Sequence, residues 1–213
     1  MKKRILSILL LCCMVLTMLP TTVLAADGPM DTIPKYDVSI DVYNRTSDIS
    51  IKDSRSYYIY SSVPDKLRDT WAWDKKIFIK GDKTAPHVFI DGVNIEMSPS
   101  SKGPAIELNK KASAYIYFIG KNSSLQGADG RAAIQKNRSE GQLYVLARTG
   151  TTVTCKGGDK AAGIGGSYAT RNISNGYYNG DMYGHGVNMH FGSQSNPDYW
   201  GGTINASGGE YGA

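Results

Sequence analysis

The chain has 213 residues, with 24 Lys and Arg against 19 Asp and Glu, a formal charge of +5. Three of those bases, Lys2, Lys3 and Arg4, sit at the very start, so residues 27–213 carry 21 against 19 and hold no basic block of the kind a nucleic-acid groove needs. The 24 Gly and 14 Tyr, with few Leu or Glu beyond residue 26, exclude a protein of long helices and favour strands and tight turns.

Residues 1–26 read as a secretory signal peptide. The basic start is followed by an apolar run from Ile5 to Leu19 and a small-residue cleavage site at Val23-Leu24-Ala25. Cys12 and Cys13 belong to that leader, which leaves Cys155 as the single cysteine of the mature chain and rules out an internal disulfide framework. The protein is therefore expected outside the cell, secreted or held at the cell surface, with no membrane span in its mature form.

Residues 27–86 form an entry segment. Val38, Ile40 and Val42 alternate with polar residues, the period of a strand with one buried face. Short β-rich runs follow at Tyr57 to Tyr60, Ile77 to Lys80 and His87 to Ile95, separated by Pro64, Gly81-Asp82 and Pro86. Ser62 to Asp74 is the one stretch suited to a helical turn.

From residue 87 a repeat takes over. Ala105-Ile106 returns as Ala133-Ile134 and as Gly163-Ile164, at intervals of 28 and 30 residues. A second phrase, Ser124-Leu125-Gln126-Gly127, returns as Thr152-Val153-Thr154-Cys155 and Thr203-Ile204-Asn205-Ala206. Ile106 to Leu125 and Ile134 to Val153 both span 19 residues, whereas Ile164 to Ile204 spans 40, so the third copy carries an insertion of about 21 residues near 167–200. Each copy reads as three short strands, which cannot bury both faces alone; stacked copies pair every strand with its counterpart at about 4.8 Å per rung. The expected fold is all-β, a parallel β-helix or β-solenoid over 27–213. Ile106, Ile134 and Ile164 would form one inner column, and Leu125, Val153 and Ile204 another.

Several residues invite chemistry. Gly163, Gly165 and Gly166 lack the following helix of a phosphate cradle and read as corners between rungs. Tyr177, Tyr178, Tyr183, Tyr199 and Trp200 crowd the insertion among Gly, Asn and Asp; an apolar ring with a polar tip suits both the C–H faces and the hydroxyls of a sugar, which makes them the candidate ligand contacts. His185 and His190, with Asp181 nearby, are too few and too loosely spaced for zinc and read as loop histidines. Asp129, Asp159 and Glu210 recur at the same turn, so stacking would bring them to one edge; calcium is the cation such an oxygen-rich edge would suit, with Arg131 and Lys160 able to balance the charge instead. Cys155 has no activating base in its copy and reads as a structural thiol aligned with Gly127 and Ala206. No catalytic residue stands out.

Four phrases carry a family resemblance: Gly-Gly-Thr-Ile-Asn-Ala-Ser-Gly-Gly at 201–209, Lys-Ala-Ala-Gly-Ile-Gly-Gly at 160–166, His-Val-Phe-Ile-Asp-Gly-Val-Asn-Ile at 87–95, and Gly-Lys-Asn-Ser-Ser-Leu at 120–125. They resemble the rungs of secreted bacterial carbohydrate-binding-domain proteins common in clostridia, over about residues 77–213. The resemblance implies a right-handed helix similar in fold to pectate lyases, and binding of acidic polysaccharide rather than its cleavage. It also implies two alternatives, a polysaccharide lyase or hydrolase of similar fold, for which Arg131, Arg138, Arg148 and Arg171 are the available bases, and an adhesin-type spacer. Gly208-Gly209-Glu210 repeats Gly157-Gly158-Asp159, after which another Gly-Ile-Gly-Gly is due, so a C-terminal truncation is expected.

Overall fold

The computed structural model describes residues 34–98, 103–109, 111–136, 140–167, 173–174, 177–178, 187–192 and 200–210. The leader expected at 1–26 lies outside them.

The chain is an all-β parallel solenoid of about four turns. Each full turn visits three sheets in the same sequence. Sheet B holds β2 (Ile49–Ile51), β4 (Ile77–Lys80), β7 (Ile106–Asn109), β10 (Ile134–Lys136) and β13 (Ile164–Gly165). Sheet A holds β1 (Val38–Asp41), β3 (Ser56–Tyr60), β5 (His87–Asp91), β8 (Ala114–Ile119), β11 (Leu143–Ala147) and β16 (Met189–Phe191). Sheet C holds β6 (Asn94–Glu96), β9 (Ser123–Gln126), β12 (Thr152–Lys156) and β17 (Thr203–Ser207). Every pairing within these sheets is parallel. The helical turn expected within 62–74 is a single 3-10 turn, Asp65–Leu67, behind Pro64.

Alternation at period two sends one set of side chains inward, where rung stacking builds columns. Ile49, Ile77, Ile106, Ile134 and Ile164 stack in sheet B, so the expected isoleucine column is present and extends two rungs earlier. Ile59, Ile90, Phe118 and Ala147 stack in sheet A, all of them buried. Lys136 ends the neighbouring sheet B column after Ile51, Ile79 and Leu108, and is 1% exposed. Burial pushes its ammonium pKa down, against the pull of Glu140.

The second expected column holds at Val153 and Ile204 and is corrected by two residues at Leu125. Leu125 pairs with Ile95 and Cys155, and Val153 pairs with Ser123 and Ile204. Cys155 therefore stacks between Leu125 and Ala206 rather than over Gly127. A slip of two preserves which side chains face inward, so polarity alone leaves it open. The connections decide it: in register, β10 to β11 is one residue longer than β7 to β8, and β11 to β12 is one residue longer than β8 to β9.

The extra residues of the last turn fall in two places. Ile164 and Met189 are 25 apart, where Ile134 and Leu143 are 9 apart; Met189 and Thr203 are 14 apart, where Leu143 and Thr152 are 9. Between the two additions β16 keeps its regular place in sheet A, pairing Leu143 with Met189 and Val145 with Phe191. The first addition carries a short antiparallel pair, β14 (Ile173–Ser174) and β15 (Tyr177–Tyr178).

Candidate functional site

The outward positions of sheets A and C are both ladders, and they differ in chemistry. In sheet A the register places His87, Tyr115, Tyr144 and His190 in one outward row. Their rings stack with centroids 4.7, 4.6 and 4.4 Å apart and planes within 5°, 7° and 13° of parallel. A second row runs through Tyr58, Phe89 and Tyr117. Tyr36 stacks on Tyr58 at 5.2 Å, Phe89 on Tyr117 at 4.9 Å, and Trp200 lies tilted by 39° against Tyr117 at 5.0 Å. The Tyr58 hydroxyl donates to Asp91 Oδ2 at 2.8 Å, and Tyr117 Oη and His87 Nδ1 are 3.0 Å apart. Burial drives both phenols upward, Tyr58 well beyond the ordinary tyrosine range and Tyr117 to about 12.

Stacking along the solenoid axis has a consequence for binding. Each ring inside a row presents its faces to the rings above and below, so solvent meets ring edges, hydroxyls and imidazole nitrogens. A sugar's C–H face finds its best partner in an open ring face, which the interior of the stack does not offer. The rows instead stiffen the sheet from outside.

Sheet C leaves its polar side chains to solvent. Asn94, Ser124, Thr154 and Asn205 form one outward row; Glu96, Gln126, Lys156 and Ser207 form the next. Ser124, Thr154 and Asn205 are exposed. Where a strand begins, an asparagine amide replaces the ladder carbonyl: Asn94 Oδ1 accepts the Ser124 N–H at 3.1 Å, and Asn122 Oδ1 accepts the Thr152 N–H at 2.8 Å. That substitution holds the amides in place.

The connection between β3 and β4 makes a wall beside this face. Trp73, 3% exposed, bridges to Ile95 and donates its Nε1–H to the Arg45 carbonyl at 2.8 Å. Asn94 Nδ2 donates to the Arg68 carbonyl at 2.9 Å, and Arg68 Nη1 donates to the Gly92 carbonyl at 3.2 Å. Two hollows lie along the wall. The larger, about 680 Å³, is lined by Asp65, Arg68 and Asp69 on one side and by Asn94, Lys121, Asn122, Ser124, Thr152 and Thr154 on the other. The smaller, about 460 Å³, is lined by Thr70, Ala72, Glu96, Gln126 and Asp129. Concave ground with several convergent hydrogen-bonding groups is what ligand sites are made of.

Three charges of the larger hollow, Asp65, Arg68 and Lys121, pair with one another. Asp65 Oδ1 lies 2.9 Å from Lys121 Nζ and 3.3 Å from Arg68 Nη2. The Lys121 ammonium, and then the Arg68 guanidinium, hold the Asp65 carboxyl below the usual carboxylate range. It is an anion at neutral pH.

The residues singled out from sequence fall in several places. Trp200 joins the aromatic face of sheet A against Tyr117. Tyr177 and Tyr178 form β15, while Tyr183 and Tyr199 lie outside the described residues, as do Asp181, His185, Arg138 and Arg171. His190 is not a loop residue: it sits in β16 and closes the imidazole–phenol row against Tyr144. Asp129, Asp159 and Glu210 occupy one corner, since Gly130 N–H bonds the Asp159 carbonyl at 2.8 Å and Lys160 N–H bonds the Glu210 carbonyl at 2.7 Å. Among the described residues no group of three or more His, Cys, Asp or Glu is placed to hold a metal ion. Glycine is required at this corner because a Cβ on Gly158 would collide with the Ala128 carbonyl. Cys155 is fully buried, and burial pushes its thiol to about 12, as suits a structural role.

The polar row of sheet C has a signal in the sequence, the alternation Ser124-x-Gln126, Thr152-x-Thr154 and Thr203-x-Asn205 around the inward apolar residues. The wall had no such signal, because Asp65, Arg68 and Lys121 meet across 56 residues of sequence. Among the described residues no helix is long and apolar enough to cross a membrane. Comparison with protein families, curated proteins and solved structures finds no match to this chain.

Proposed function

We propose that this chain is a non-catalytic polysaccharide-binding module that works outside the cell, with its glycan lying on the outer face of sheet C against the 65–72 wall. One observation carries the reading: uncharged hydroxyl and amide side chains repeat at the rung spacing along an open, walled face. A polymer of hydroxylated rings offers donors and acceptors at a regular repeat, and a rigid ladder meets them without ordering loops on binding. The leader-like residues 1–26 and the resemblance to secreted clostridial carbohydrate-binding proteins point the same way. Among the described residues of the insertion, Trp200, which follows β16 of sheet A and precedes β17 of sheet C, extends the contact.

The reading is tested by a glycan array on the chain from Asp27 onward, followed by a check for released product. Retention of a polysaccharide without chain cleavage is expected. A well-folded sample that holds no glycan would overturn it, and released oligosaccharide would move the assignment to a lyase or hydrolase.

A further inference from the structure

Asp65 is an odd member of the larger hollow. Its side chain is 83% exposed, yet its carboxylate sits between two cations. All three contacts fall on one oxygen: Lys121 Nζ at 2.9 Å, Arg68 Nε at 3.3 Å and Arg68 Nη2 at 3.3 Å all reach Oδ1. The guanidinium is fixed independently of Asp65. Nη1 donates to the Gly92 carbonyl at 3.2 Å, Nη2 donates to the Val63 carbonyl at 3.4 Å, and the side chain is only 17% exposed. Gly92, at φ +61°, allows this approach, since a Cβ there would stand 2.6 Å from Nη1. Lys121 is the adaptable partner, at 55% exposure.

We propose that Arg68 and Lys121 form a carboxylate-binding subsite of the sheet C groove, and that Asp65 fills it in the unliganded chain as a built-in competitor. The proposal rests on the polysaccharide reading above and names the charged group of the ligand. A preorganised guanidinium edge takes both oxygens of a carboxylate side by side, a geometry that Asp65, tethered three residues from Arg68, meets with one oxygen only. An incoming uronate has no such tether. Exposed ion pairs are weakly held, so exchanging one carboxylate for another costs little. Beyond the two cations the same hollow offers Asn94, Asn122, Ser124, Thr152 and Thr154 to the hydroxyls of the same sugar. Asp69 also lines it, and disfavours a second carboxylate close to the first.

The test compares the unsubstituted chain with Asp65→Asn and Lys121→Gln. Glucuronate and glucose are titrated by NMR, and alginate, its neutral ester and dextran sulfate by calorimetry. Asp65→Asn is expected to tighten glucuronate and alginate by about fivefold, the upper end of what an exposed pair is worth. Lys121→Gln is expected to weaken both, with glucose and the neutral ester unchanged. Equal or weaker uronate binding by Asp65→Asn would overturn the latch, and if the unsubstituted chain still held neutral glycan the polysaccharide reading would survive it. An equal gain for dextran sulfate would overturn the carboxylate assignment and leave a general anion site. Tightened glucuronate with no polymer bound by any variant would keep the subsite and sink the polysaccharide reading.

Discussion

Sheets A and C are built on one plan, yet their outer faces do opposite things. Both repeat a side chain at each rung, and both stand on apolar inner columns. In sheet A the repeated side chains are rings, and 4.4–4.7 Å between centroids brings each against the next, so the row satisfies itself. In sheet C the first outward row is Asn94, Ser124, Thr154 and Asn205, and the side chains of the last three are exposed to solvent. A solenoid fixes the spacing of any ladder. The chemistry of the outward side chain then decides whether the ladder packs on itself or stays available.

The largest expected effect removes what both faces share. Ile134 is 0% exposed and lies between Ile106 and Ile164 in the sheet B column. Ile134→Asp places a carboxylate there without a partner, a cost of several kcal/mol that a marginally stable domain does not survive. Circular dichroism and thermal melting should show no cooperative fold. A variant with unchanged β spectrum and melting point would refute the register of sheet B.

Next come the rings of sheet A. Tyr115 stacks on both His87 and Tyr144, so Tyr115→Ala loses two ring contacts at once and is expected to cost about 2 kcal/mol by denaturant titration. Glycan binding should be untouched, because sheet C does not lean on that row. Lost affinity at full stability would invert the comparison and make the ring edges the ligand face. Alkali separates the faces in another way. Tyr117 is raised to about 12 by burial, from an ordinary phenol value of 10.0. A raised acid gives stability that is whole below the unfolded pKa and is lost as pH climbs to the folded one. Melting points should therefore hold to about pH 10 and fall between 10 and 12, more steeply than in Tyr117→Phe. Parallel curves for the two proteins would remove Tyr117 from the account.

Rung period and the isoleucine column were legible in the sequence, because Ile106, Ile134 and Ile164 recur with the same neighbours and the inward face tolerates little else. Sheet C was legible in polarity but not in register: Leu125 and Val153 both point inward, and a two-residue slip exchanges them without moving either to solvent. The ring row of sheet A was present as Tyr115-x-Tyr117 one rung below Tyr144, but its last member, His190, was hidden by the added residues before β16. The groove was not legible. Its floor is local repeat, yet its wall is 65–72, a stretch of the entry segment that carries no repeat and meets Lys121 only once the turns are wound. The geometry of the proposed groove comes from the irregular connection, whose contacts are long in sequence and leave no periodic trace.

The smallest structural change should bear most directly on the proposed site. Ser124→Ala and Thr154→Val together strip two neighbouring hydroxyls from the outward row of sheet C while leaving its inward side chains alone. Both positions are exposed, so stability should stay within about 0.5 kcal/mol and Val keeps the β preference of Thr. A ligand that bonds both hydroxyls loses roughly 1 kcal/mol for each neutral bond, about thirtyfold in affinity for the pair. Calorimetry against whichever polysaccharide the array identifies reads that loss. Full affinity in a double variant with an unchanged melting point would move the glycan off this row, toward Trp200 and the corner between sheets A and C.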